Sequence, residues 1–191
     1  MEEIFEEYCQ QTTQLAQDGW QLDYILTASD GLRVSDVSFQ GRPVLDSAKI
    51  VDCHVSYSQG EGFGYSDAVG CPKFISSAVV ATSPPQVVAL SENGETSGFA
   101  LLQDYAHPLW PAPCNYRYQQ RFEFYADGRF RVVGTFLGRG CGDDGAYRPI
   151  LRMDPADVDG QGQSFAEWTG DDWEVRLLSG LPVARRTTEW I

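Results

Sequence analysis

From Trp20 onward the chain alternates apolar and polar residues with a period of two, in short runs broken by glycine, aspartate, asparagine and proline. Successive side chains of an extended strand point to opposite faces, so such runs bury one face of a sheet. Trp20-Gln21-Leu22-Asp23-Tyr24-Ile25-Leu26 carries the pattern, and Leu32-Arg33-Val34-Ser35-Asp36-Val37-Ser38-Phe39 repeats it after an Asp30-Gly31 turn. Gln40-Gly41 then opens a strand over residues 43–57. Further strands are expected over residues 73–82, 86–91, 97–104, 115–126, 129–138, 146–153, 163–169, 172–179 and 182–188. The clearest hairpin joins Arg121-Phe122-Glu123-Phe124-Tyr125 to Arg129-Phe130-Arg131-Val132-Val133 through Ala126-Asp127-Gly128. Glycine there accepts the positive φ that the turn requires. Turn signals at roughly 8–12-residue spacing with few helices indicate a β-sandwich or barrel.

Residues 2–17 follow another period. Ile4, Phe5, Tyr8, Thr12, Leu15 and Ala16 fall on one stripe of a helix, with glutamates in its first turn and Asp18-Gly19 to end it. The chain has 191 residues, no internal repeat and no linker. The expectation is a mostly β protein: one domain over residues 1–191, with an N-terminal helix within 1–18 and a two-sheet antiparallel β-sandwich over 20–191.

Charge narrows the partners. Acidic residues outnumber Lys plus Arg by 27 to 14, a formal charge of -13 with pI near 4.4. Sequence-independent nucleic-acid binding needs cations to displace counterions, and an anionic membrane repels such a chain. No apolar run reaches the roughly 20 residues of a membrane span, and Met1-Glu2-Glu3-Ile4 does not read as a secretion signal. A cytoplasmic protein is expected. The five cysteines (Cys9, Cys53, Cys71, Cys114, Cys141) are scattered and odd in number, and read as reduced thiols. The two histidines, His54 and His107, form no metal-binding motif, and no metal is expected.

Several stretches, in order, resemble the large catalytic β-domain of the copper amine oxidases. Gly31-Leu32-Arg33-Val34-Ser35-Asp36-Val37-Ser38-Phe39 with Gly41-Arg42-Pro43-Val44-Leu45 is similar to that family's opening hairpin, and residues 48–57 to its next strand. Gly60-Glu61-Gly62-Phe63-Gly64, with Gly70-Cys71 behind it, Leu109-Trp110, Asn115-Tyr116-Arg117-Tyr118, Phe124-Tyr125-Ala126-Asp127-Gly128, and Arg152-Met153-Asp154 with Asp159-Gly160 continue the match in the same order, with shortened loops. The resemblance covers roughly residues 20–168. It implies a supersandwich-like two-sheet fold, a copper ion on three histidines, a tyrosine converted to topaquinone, a carboxylate base, and oxidative deamination of primary amines.

The resemblance puts Tyr116 at the quinone position, between Asn115 and Arg117, with Tyr118 after them. It puts the paired copper ligands at Gly145 and Tyr147, neither an imidazole, and the base at about Ser58, which is no carboxylate. Ala100 and Lys73 stand near the family's cysteine pair. Without those ligands Tyr116 stays an ordinary tyrosine, and no cofactor is expected.

Where the family holds its cofactor, the resemblance implies a residual pocket formed by Asn115, Tyr116, Tyr118, Tyr147, Tyr57, Ser58, Arg148 and Arg152. Tyr116 and Tyr118 lie two apart on a strand and share a face, as core packing or as pocket lining. Arg148 and Arg152 have the same parity and suit either an anionic ligand or surface ion pairs. Residues 138–145, rich in glycine, read as a mobile surface loop, and residues 154–160 as a hairpin turn. No Gly-x-Ser-x-Gly elbow marks a nucleophile. Three functions remain: a non-catalytic sandwich binding a small molecule or a protein, a metal-free enzyme using a tyrosine-lined cavity, and a residual amine oxidase. A homodimer is left open.

Overall fold

A computed structural model describes residues 2–57, 64–73, 79–142, 144–157 and 164–177. The chain divides into two compact units, Met1–Asp154 and Pro155–Ile191. The first holds a short helix α1 (Glu2–Ile4), continued by a π-helical turn over Phe5–Cys9, and two six-stranded sheets. One sheet runs in the order β1 (Thr13–Gln17), β2 (Trp20–Leu26), β3 (Leu32–Phe39), β4 (Arg42–Tyr57), β12 (Gly145–Pro155), with β5 (Tyr65–Ser66) also on β4. The other runs β11 (Phe130–Arg139), β10 (Asn115–Tyr125), β9 (Glu95–Ala106), β7 (Val79–Ala81), β6 (Val69–Gly70), with β8 (Gln86–Glu92) also on β9. Neighbouring strands such as β9, β10 and β11 pair antiparallel, whereas β6 and β7 run parallel. The protein is thus the mostly β, two-sheet sandwich with one N-terminal helix that the sequence pattern calls for.

Residues 155–191, which the sequence reading joins to the sandwich, group apart from residues 1–154. Taken alone, they contain an antiparallel hairpin, β13 (Ser164–Trp168) with β14 (Trp173–Leu177). The strand expected over residues 182–188 lies outside the described residues.

β10 shows how the alternation builds the core. Tyr116, Tyr118, Gln120, Phe122 and Phe124 are all buried on its inward face. Phe124 meets Trp20 of the opposite sheet edge-on at 5.2 Å and stacks on Phe99 at 5.1 Å. The Trp20 indole N–H donates to the carbonyl of Tyr125 at 2.8 Å, so this aromatic also supplies a polar tie between the sheets. The β10–β11 hairpin forms as expected, with Phe124 opposite Phe130.

The helix over residues 2–17 is corrected. It stops at Cys9, and Thr13–Gln17 is a strand paired with β2. Asp18 (φ 51°) and Gly19 (φ 83°) both adopt positive φ, the signature of a two-residue hairpin turn rather than of a helix stop. Leu15 still packs on the core, so its apolar spacing satisfied both periods and the turn decided between them. Ile4, Phe5 and Tyr8 keep the helical stripe and pack against the sandwich. The strand expected over residues 73–82 is described only as Val79–Ala81, and residues 74–78 lie outside the description.

The reduced-thiol expectation is also corrected. Cys9 is joined to Cys71 and Cys114 to Cys141 as disulfides, leaving Cys53 free and buried. Pairing follows from spatial approach, with Cα separations of 6.2 and 4.4 Å, across 62 and 27 residues of sequence that show no spacing motif. Among the described residues no helix is long and apolar enough to cross a membrane.

One buried amide bridges the sheets. Gln120 of β10 accepts the N–H of Leu32 at 2.7 Å and the hydroxyl of Tyr105 at 3.1 Å through the same oxygen. Its side chain lies against Gly31, where an added Cβ would come within 2.4 Å of the amide oxygen and φ is +70°. Gln120→Leu removes the acceptor and leaves two buried donors unpaired, at a cost of about 1–3 kcal/mol for each. Urea unfolding is expected to show a lower midpoint with an unchanged m-value, and an unchanged midpoint would show that the bridge contributes nothing.

Candidate functional site

The expected pocket residues separate into two groups. Tyr57 ends β4, Tyr116 and Tyr118 begin β10, and Tyr147 lies near the start of β12, so both sheets contribute to one cluster of phenols. Tyr116 is 5% exposed and Tyr118 1%, and their rings stack at 5.6 Å. The Tyr147 ring meets Tyr116 edge-on at 6.1 Å and packs on Phe136 at 5.2 Å, and it keeps 38% of its surface exposed. The hydroxyls of Tyr57 and Tyr116 hydrogen-bond to each other. The Tyr118 hydroxyl donates to the carboxylate of Asp67.

The remaining described candidates make their contacts elsewhere. Asn115 spends its side-chain amide on the carbonyls of Ala112 and Pro113. Arg148 follows Tyr147 on an extended strand and so points to the opposite face; it donates to Ser56 Oγ at 2.7 Å. Arg152 pairs with Asp154 at 3.3 Å. The two arginines therefore serve separate local contacts. Ser58 lies outside the described residues.

Sequence reasoning missed the cover of the cluster. Of residues 138–145, read as a mobile surface loop, residues 138–142 run against the phenols. A Cβ on Gly138 would sit 2.4 Å from the Tyr116 ring, one on Gly140 would sit 2.8 Å from the Tyr57 hydroxyl and 3.0 Å from that of Tyr147, and one on Gly142 would sit 3.1 Å from the Tyr57 ring. A side chain at Gly138 would have to displace the Tyr116 ring, and one at Gly140 or Gly142 would push on Tyr57. The Cys141 N–H donates to the Tyr57 hydroxyl at 2.8 Å, and Cys114–Cys141 pins the segment to the residue before β10. The glycine run and the two cysteines flanking the β10–β11 hairpin were the available signal.

Burial sets the chemistry of these phenols. It raises the Tyr116 hydroxyl above the ordinary phenol pKa, helped by hydrogen bonds and charge from Tyr57 and Tyr147. Tyr118 is likewise raised by burial and then by its bond to the Asp67 carboxylate. Both are neutral donors at physiological pH, a poor state for a general base, which works best with a pKa near the operating pH. The Cys53 thiol is pushed up to about 12 by burial, with Asp52 and Asp67 adding repulsion, and is inert as a nucleophile.

Copper does not fit here. The side chains that meet Tyr116 are the phenols of Tyr57, Tyr118 and Tyr147, whereas the metal is held by imidazoles and by deprotonated donors. His54, on β4, bonds Ser66 through Nδ1, and His107 turns its Nδ1 to the N–H of Leu109. His54 is half-exposed while the adjacent Cys53 is buried, so the two occupy opposite faces. Among the described residues no three His, Cys, Asp or Glu side chains gather as a metal site. A cavity of about 730 Å³ does open farther along β10, lined by Arg121, Glu123, Tyr125, Arg129 and Arg131, and the four clustered phenols take no part in it.

No protein-family model and no curated protein matches the chain. Among solved structures, a lysyl oxidase from Pichia pastoris is similar over 86% of this chain and 32% of that one, with a TM-score of 0.47 and 14% identity. The chain thus spans about a third of that enzyme's length.

Tyr24, Tyr105, Tyr116, Tyr118 and Tyr125 all have raised hydroxyl pKa values, with burial the largest cause in each. A fold that holds phenol protons more tightly than the unfolded chain keeps that stability below the ordinary pKa of about 10 and loses it as pH rises through the raised values. Alkaline titration at 295 nm is expected to show these five tyrosines ionising above the ordinary phenol range. Their ionisation should come only with loss of near-ultraviolet dichroism; full ionisation of all nine tyrosines in a still-folded protein would contradict the burial assignment.

Proposed function

We propose that this chain is a non-catalytic relative of the copper amine oxidase catalytic domain, a β-sandwich that binds a small molecule or a protein through the region of its phenol cluster. One observation carries this reading. The tyrosine that the resemblance aligns with the quinone precursor, Tyr116, is tied by its hydroxyl to Tyr57 and covered by the segment from Gly138 to Gly142. In place of ligating imidazoles, the resemblance positions hold Gly145 and Tyr147.

The partly exposed Tyr147 ring, with Leu109 and Trp110 also exposed, offers aromatic and hydroxyl contacts of the kind that binding surfaces use. A metal-free enzyme is the weaker reading, because the raised phenols favour holding protons over exchanging them near neutral pH. The paired cysteines favour a compartment in which disulfides persist over the reducing cytoplasm. The acidic surface remains a reason to expect neither nucleic acid nor anionic membrane as a partner.

Copper loading under oxygen tests the proposal. The protein is expected to stay colourless, to give no phenylhydrazine adduct, and to yield a Tyr116 peptide of unmodified mass. A quinone adduct at Tyr116 would overturn the non-catalytic reading. A small-molecule thermal-shift screen, repeated on Tyr147→Ala, is expected to yield ligands whose stabilisation depends on Tyr147.

A further inference from the structure

We infer that Cys114–Cys141 is an exchangeable latch over the phenol cluster, opened by a dithiol reductant while Cys9–Cys71 stays closed. As regulation of the binding region proposed above, it rests on that reading for its purpose, whereas its chemistry stands on the geometry alone.

The two disulfides differ in access. Cys71 is fully buried and Cys9 half-buried, but Cys114 and Cys141 are both exposed. Thiol–disulfide exchange requires a thiolate to reach a sulfur, so the exposed pair reacts first. A dithiol thiolate attacks one sulfur to form a mixed disulfide. Its second thiol then displaces the protein cysteine, so two electrons and two protons pass to Cys114 and Cys141 and the reductant leaves as its own disulfide.

The consequence is local because the loop that the bond closes is already closed by a hairpin. Cys114 immediately precedes β10 and Cys141 comes soon after β11, and ten antiparallel residue pairs, from Asn115 opposite Arg139 to Phe124 opposite Phe130, already hold those strands together. Reduction therefore leaves the hairpin standing and frees residues 140–142. That segment supplies the Cys141 N–H to Tyr57, and its glycine backbone covers the hydroxyls of Tyr57 and Tyr147. Once it is released, Tyr57 meets solvent or a ligand, while Gly138, still in the ladder, keeps its place over Tyr116. By contrast, Cys9–Cys71 joins the helical N-terminus to a residue 62 positions away and has no hairpin ladder behind it.

The test uses the full chain purified without reductant. One portion is treated with dithiothreitol, thiols are capped with iodoacetamide, tyrosines are acetylated with N-acetylimidazole, and modified sites are mapped by mass spectrometry. Mild reduction is expected to cap Cys114 and Cys141 before Cys9 and Cys71. Acetylation of Tyr57 should rise roughly tenfold, as expected for local opening, while Tyr105 and Tyr118 stay protected. The variant C114S/C141S should show the high Tyr57 labelling without reductant. Free Cys114 and Cys141 before reduction, simultaneous opening of both disulfides, unchanged Tyr57 labelling, or loss of protection at Tyr105 would each overturn the latch. A quinone at Tyr116 would sink the functional proposal and leave the latch intact, so the two failures are distinguishable.

Discussion

The structure depends on a polar contact made in the middle of its hydrophobic core. Gln120 reaches from β10 across the sandwich to the N–H of Leu32, and the same oxygen takes the hydroxyl of Tyr105. Buried polar groups are costly unless paired, so this amide accepts one relation between the sheets and penalises others. The chain meets it with a residue that has no side chain, since anything larger at Gly31 would strike the amide. Around this point the aromatic layer of Trp20, Phe99 and Phe124 packs from both sheets.

The same strand carries a different solution towards its beginning. There the inward positions hold Tyr116 and Tyr118, whose hydroxyls must be satisfied where Gln120 and the phenylalanines pose other demands. Tyr57 and Asp67 answer them from neighbouring elements, and the segment from Gly138 to Gly142 closes the cluster from outside. The phenols are thus held as neutral donors. The electrostatic isolation that raises the hydroxyls is the same burial that makes the cluster part of the core.

Legibility followed the range of the interactions. The β10–β11 hairpin was readable because alternation and an Asp-Gly turn act within a dozen residues. The shared face of Tyr116 and Tyr118 followed from strand parity. The N-terminal segment misled because Leu15 suits both a helical stripe and a strand, and because Asp18-Gly19 serves as either a helix stop or a hairpin turn. Arg148 was read as suiting an anionic ligand or a surface ion pair, and its bond to Ser56 was not legible because it depends on a strand 92 residues earlier. The disulfides were invisible for the same reason: their spacing carries no motif, and only the fold brings the sulfurs together.

The amino-acid order by itself determined the strand class, the two-sheet sandwich, the acidic surface and the inward parity of the phenols, because period-two patterning and net charge are local or additive properties. Tertiary structure alone decided which cysteines meet, that glycines 138, 140 and 142 lie against tyrosines, and that Tyr57 partners Tyr116. Those contacts join different strands and loops, and their energies arise only when packing brings distant groups within bonding distance and excludes the water that would otherwise satisfy them.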